Sequence, residues 1–192
     1  MYYIFDTQSW ESFPARILNT ADSQSLWWDD GESFEHPPVE PIKGVLKPYK
    51  EDHPSMSREL GAYYYDSSIP FFRDDLLQAL QEAGVDNLDV YEAELTDPDT
   101  GEVHTNFKAI NILGLVAAAD MAKSEAIVHD GIPLVDVSFN KLVLDPTKTH
   151  DFLLFRSAEN NGTILIHESV KKHLENKGFN KLSFYELDKA AI

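Results

Sequence analysis

The chain has 192 residues, 43% of them hydrophobic and 11% aromatic, enough for one sizeable core with room for a small appendage. Its 33 carboxylates outnumber 16 Lys and Arg, leaving a net charge of −17; like-charge repulsion disfavours nucleic acid or an anionic membrane as partner and favours a cationic one. The lack of cysteine excludes disulfides, thiol catalysis and thiolate metal sites. No uninterrupted apolar run is long enough to span a bilayer, and MYYIFDTQSW lacks the basic-then-apolar pattern of a secretion signal, so a soluble, cytoplasmic protein is expected.

Tyr2–Phe5 reads as a short strand. Within SLWWDDGESF, a strand running into an Asp-Gly bend is expected, with Trp27 in the core and Trp28 either core or an interface anchor. From Asp29 to Pro54 five prolines argue for irregular loops and short edge strands. The spacing of Phe72, Leu76, Leu80 and Ala83 predicts a helix over 70–83, with Pro70 in its first turn, Asp74 and Asp75 near the positive end of its dipole, and Gly84 as left-handed cap. Asp74, Asp75, Gln78, Gln81 and Glu82 then form an acidic outer face.

LTDPDTGEV is a hairpin signal. Phe107–Val116 reads as a buried strand, Ala117–Ala126 as a short helix with Asp120 and Ser124 as caps, and Pro133–Val137, Asn140–Leu144 and Phe152–Arg156 as further strands. Turns are expected at Gly131, Pro146 and 160–162. A second helix runs over 168–177 and ends at Gly178.

Placing Gly84 over Gly178 aligns IPFFRDDLLQALQEAGVDNLDVYE with TILIHESVKKHLENKGFNKLSFYE and pairs Leu80 with Leu174 and Tyr91 with Tyr185. This suggests an internal helix–turn–strand repeat over 69–92 and 163–186, with Lys171, Lys172 and Lys177 only in the second copy. The expected class is therefore α+β: a mostly antiparallel sheet with a few helices, containing that repeat. An amino-terminal β- and loop-rich segment (1–62) precedes an α+β domain (63–192).

Charge is uneven: residues 1–68 carry a net −7, residues 69–106 a net −9 with Arg73 as the sole base, and residues 107–192 only −1. The acidic stretch supplies the candidate contacts for a cationic partner: Asp74, Asp75, Gln78, Glu82, Asp86, Asp89, Glu94, Asp97, Asp99 and Glu102, with Trp28 as an aromatic anchor.

Catalytic patterns are missing. The seven histidines include no pair at helical metal-ligand spacing, no glycine-rich phosphate loop exists, and no serine stands in a nucleophile elbow. No metal, cofactor or catalytic residue is assigned. The enzyme or carbohydrate-binding alternative is the Trp27–Glu32 segment, where the tryptophans could stack on a sugar beside Asp29, Asp30 and Glu32.

In order and spacing, FFRDDLLQALQEAGV, FKAINIL with Asn111, AAADMAKSEA with Asp120 and Ser124, LLFR with Phe155 and Arg156, and HESVKKHLENKGFNKLSFYEL resemble the immunity proteins of bacterial polymorphic toxin systems, specifically immunity family eleven. The resemblance covers 63–187 and extends loosely to the YYIFD start. It implies a non-enzymatic protein that binds and neutralises a cognate toxin delivered by neighbouring cells, for instance by type VI secretion. It also casts Asn111, Asp120 and Ser124 as structural polar residues. Joined to the charge distribution, it puts the acidic stretch against a basic surface of the toxin, with a nuclease the class that fits best.

Overall fold

A computed structural model describes residues 1–6, 17–18, 26–46, 59–66, 69–129 and 137–189. In chain order the elements are β1 (Tyr2–Asp6), β2 (Ile17–Leu18), β3 (Ile42–Leu46), β4 (Tyr63–Asp66), β5 (Ile69–Arg73), α1 (Asp74–Glu82), β6 (Leu88–Thr96), β7 (Val103–Ile112), β8 (Leu115–Val116), β9 (Glu125–Val128), β10 (Val137–Lys141), β11 (Leu154–Ser157), β12 (Ile164–His167), α2 (Glu168–Asn176) and β13 (Ser183–Glu186). They build a six-stranded sheet in the order β2-β3-β6-β7-β5-β4, a five-stranded sheet β13-β1-β12-β11-β8, and a β9–β10 ribbon. Pairing is antiparallel except for β3 with β6 and β8 with β11. The class is α+β, mostly sheet.

Strand alternation explains how the layers meet. Phe5, Phe72, Ile110, Ile112, Ile164 and Ile166 point into a central core that also takes Leu76, Leu77 and Leu80 of α1 and Val170 and Leu174 of α2. Their neighbours turn the other way. Ile69, Phe71, Phe107 and Ala109 fill a second core on the outer face of the larger sheet. Ile4, Phe155 and Leu165 fill a third on the outer face of the smaller one. Both large sheets are thus covered on both faces, which is why segments such as ILIH and FF read as unbroken apolar runs.

The first helix starts at Asp74, four residues later than the spacing predicts. Pro70–Arg73 belongs to β5, with Pro70 opposite Tyr65 and Phe71 opposite Ala109. The strand sends Phe71 and Phe72 into two different cores, and that aromatic burial decides the local conformation. Both helices end alike. Gly84 (φ 94°) and Gly178 (φ 91°) adopt left-handed conformations, and the Val85 and Phe179 amides donate back to the Leu80 and Leu174 carbonyls. Only glycine reaches this cap without strain.

The expected helix over 117–126 does not form. Its backbone bonds go to a distant segment: Asp120 N–H donates to Val143 O and Asp145 N–H to Ala118 O, and Ala119 bridges Leu144. Tertiary pairing overrides alanine's local preference. The strand expected at 140–144 is displaced to β10, which buries Val137 and Phe139; Pro133–Asp136 and Gly131 lie outside the described residues. The segment 1–62 supplies β1, held between β12 and β13, and β3, paired with β6, so its strands lie inside both large sheets. Residues 69–92 and 163–186 share the order strand, helix, glycine, strand, but in different sheets with different partners. That common order alone does not establish a repeat.

Tyr64 gives an alkaline limit to stability. It is buried, its hydroxyl accepts from Gly61 N–H at 2.7 Å, and burial pushes its ionisation up to about 12; burial also raises buried Tyr63 well above its ordinary value. The folded state therefore holds protons that the unfolded chain loses near pH 10, so this stability is intact below pH 10 and is lost as pH rises towards 12. Urea unfolding at pH 8, 10 and 11.5 should show a steep fall over the last interval, and Tyr64→Phe should flatten it.

Candidate interaction surface

The carboxylates of α1 are paired within the protein. Arg73 Nε and Nη2 donate to Asp75 at 2.7 and 2.8 Å, and that fork holds the Asp75 carboxyl below its usual value. Asp74 lies 3.5 Å from Lys108 Nζ, which also meets Glu92 at 2.9 Å. Glu82 takes Lys177 Nζ at 2.6 Å, lies 3.8 Å from His173, and accepts from Gln78 at 2.9 Å. Lys108 and Lys177 stand outside the stretch 69–106, so counting charge along the chain leaves them out. In space the acidic outer face of α1 is largely an ion-paired face.

The β6–β7 hairpin is different. Asp97 uses its carboxylate to close the turn, accepting from Asp99 N–H at 2.8 Å, and Gly101 takes the left-handed conformation at its end. Among the described residues Asp86, Asp89, Glu94 and Asp97 form no ion pair with Lys or Arg, and Glu102 meets only His104, at 3.6 Å. Asp99 lies at the exposed tip.

Of the tryptophan pair, Trp28 takes the core alternative and Trp27 departs from expectation. Residues 26–34 form a series of turns in place of a strand. Trp28, expected as a possible contact, is only 1% exposed and packs edge-on against Phe34 and Tyr91; it is a core residue and cannot touch a partner. Trp27, expected in the core, is 73% exposed. Without strand alternation, Tyr91 of β6 together with Phe34 of the same loop decides which indole turns inward.

Three hydrogen bonds pin this loop. Asn161 Nδ2 donates to Asp29 at 2.8 Å, Gly114 N–H to Gly31 O at 2.9 Å, and Asn111 Nδ2 to Glu32 O at 2.7 Å. Asn111 in turn stands opposite Asp89 on β6, so the loop and the Asp89 face of the sheet are joined. Residues 26–41 contain Asp29, Asp30, Glu32, Glu35 and Glu40 and no Lys or Arg. Partial burial, then the charges of Asp29 and Glu32, raise the Asp30 carboxyl above its usual value. Trp27, Asp30 and Glu32, given a binding role by the sequence only as a sugar site, are surface residues that counting charge over 1–68, 69–106 and 107–192 leaves out of the interface candidates. A finer charge window would have found the acids, but nothing local distinguishes Trp27 from Trp28.

Two of the polar residues singled out by pattern, Asn111 and Ser124, hold backbone. Asn111 ties the loop to β7. The Asp120 carboxylate pairs with Lys123 Nζ at 2.6 Å, while Ser124 Oγ accepts from Val143 N–H at 2.9 Å and donates to Val143 O at 3.2 Å. Glu159, which the pattern misses, is buried and accepts from Ala119 N–H and Ser157 Oγ, each at 2.9 Å. Arg156 is likewise buried, donating to Asn161 O at 2.9 Å and to the Tyr65 hydroxyl at 3.2 Å. Among the described residues no group of three or more His, Asp or Glu is placed to hold a metal ion, and no helix is long and apolar enough to cross a membrane. No protein-family model matches the chain, and a search of curated proteins finds no match.

Proposed function

We propose that the protein is a cytoplasmic immunity protein, which binds a cognate antibacterial toxin and covers a basic surface of it. One observation carries the reading beyond the resemblance. Asp30, Glu32 and Asp89 form no ion pair with Lys or Arg among the described residues, whereas Glu94 stands opposite Lys43 on β3 and the acids of α1 are closely paired. Unneutralised surface carboxylates attract a cationic partner over about a Debye length and speed its docking without contributing much to the lifetime of the complex. A nuclease, whose substrate groove is cationic, is the toxin class that fits best. Action is by occupancy, with no reacting group assigned on the immunity protein.

The test begins with the neighbouring reading frame. Co-expression should rescue cells from the carboxy-terminal domain of a large toxin encoded there; if that domain harms no cell when expressed alone, or kills despite this protein, the reading fails. The paired and unpaired carboxylates then make an internal comparison. Replacing Asp86, Asp89 and Glu102 by their amides should slow association with that domain about tenfold at low salt and flatten its salt dependence. Changing Asp74, Asp75 and Glu82 to serine should cost much less, because those charges are already met by Arg73, Lys108 and Lys177. Asp97 is kept because its carboxylate closes the hairpin turn. Equal effects from the two sets would remove the electrostatic argument.

A carbohydrate-binding reading is favoured by one observation, the exposed indole of Trp27 beside Asp29, Asp30 and Glu32. With Trp28 buried, Trp27 is the ring that could stack on a sugar, and a glycan array with the wild type and Trp27→Ala decides it.

A further inference from the structure

We infer that the loop 26–41 is the toxin-docking face, with the indole of Trp27 seated in an apolar slot of a cationic protein surface. The inference rests on the immunity reading and goes beyond it by centring the interface on this loop and naming Trp27 as its anchor.

An indole held in water loses the transfer free energy that burial would return, and exposed aromatic anchors are the residues that most often carry an interface. Trp27 is 73% exposed and Val39, on the same loop, 95%. The loop presents them from a fixed base: Asn161, Gly114 and Asn111 hold Asp29, Gly31 and Glu32, and Trp28 and Phe34 both pack on Tyr91 of β6. A preorganised anchor gives up little entropy when it docks.

Charge identifies the occupant. The loop has five carboxylates and no Lys or Arg, and Asp89 adjoins it through Asn111. Partial burial, and after it the neighbouring charges of Asp29 and Glu32, raise the Asp30 carboxyl, and a facing Lys or Arg would favour its charged form. An anionic lipid surface or nucleic acid would add to the repulsion. The exposed valines of the larger sheet, Val45, Val90 and Val103, lie among residues of both signs, including Lys43, Glu94 and the Lys108–Glu92 pair, so no such bias selects a partner there.

The probe is the carboxy-terminal domain encoded by the adjacent reading frame, purified in a catalytically inactivated form and titrated by calorimetry and surface kinetics. Trp27→Ala should raise the dissociation constant at least about thirtyfold, chiefly through faster dissociation, and Trp27→Phe should recover part of the loss. Changing Asp30, Glu32 and Glu35 to their amides should slow association at low salt. Melting temperatures should stay within a few degrees of the wild type, because Trp27 contributes little to the core. Tight binding by the wild type with an unchanged Trp27→Ala constant would overturn this docking face and leave the immunity reading standing. No binding by the wild type would overturn both. Glycan binding that disappears in Trp27→Ala, with the affinity for the toxin domain intact, would also overturn it and assign the loop to carbohydrate.

Discussion

Replacing Gly31 by alanine should cost about 3–5 kcal/mol of stability and, at about 2–4 °C per kcal/mol for a chain of this size, lower the melting temperature by roughly 6–20 °C. Two costs coincide at this position. The backbone is left-handed, with φ at 72°, where a side chain is strained. In addition, an added Cβ would stand 2.5 Å from the Leu115 backbone nitrogen and 2.9 Å from the Gly114 carbonyl carbon. These are backbone atoms, so relief requires moving the chain and not merely a side-chain tip. Moving it stretches the bond from Gly114 N–H to Gly31 O and disturbs β8, which pairs with β11 at Leu115 and Arg156. Gly101 is the built-in control: its φ is 73° but nothing lies within 4 Å of its added Cβ, so Gly101→Ala should show the conformational cost alone, about 1 kcal/mol. Chemical denaturation of the two variants separates the effects. If Gly31→Ala is no less stable than Gly101→Ala, the close approach at Leu115 is not a constraint on the fold.

The two helix ends, the β6–β7 hairpin and the class of fold were legible in the sequence because each depends on local chemistry: a left-handed glycine at a helix end, an Asp-Pro-Asp-Thr-Gly turn, an apolar period. What was not legible depends on distant partners. Phe71 and Phe72 suit either a helix or a strand until β4 and β7 are in place on either side of them. Ala117–Ala126 has good helix formers but gives its backbone bonds to residues near 143. The charge of α1 is acidic along the chain yet paired in space, because Lys108 comes from β7 and Lys177 from the end of α2. For the site, the density of carboxylates pointed to a cationic partner, but the choice between Trp27 and Trp28 is made by Tyr91, more than sixty residues away.

Asn111→Asp, a change of one atom type, should destabilise the protein by about 3–5 kcal/mol at pH 7, more than Asn111→Leu does. Asn111 is 0% exposed, between Ile110 and Ile112 of the central core, and its amide nitrogen donates to Glu32 O at 2.7 Å. The aspartate loses that donor, sets an oxygen against a carbonyl oxygen, and places a charge out of water opposite Asp89. Leucine also loses the donor but buries no charge, and it removes the amide oxygen, a buried atom without a hydrogen-bond partner among the described residues; its cost should be about 1–2 kcal/mol. The pH dependence distinguishes the two. Burial raises the folded-state pKa of the introduced carboxyl above its unfolded value near 4, so the stability of the aspartate variant is highest when that group is protonated and falls as pH rises through the raised value. Between pH 7 and pH 4.5 the gap between the aspartate and leucine variants should therefore narrow. A constant gap would mean that the carboxylate at 111 reaches water, and the loop carrying Trp27 would then not be anchored from beneath by a buried amide.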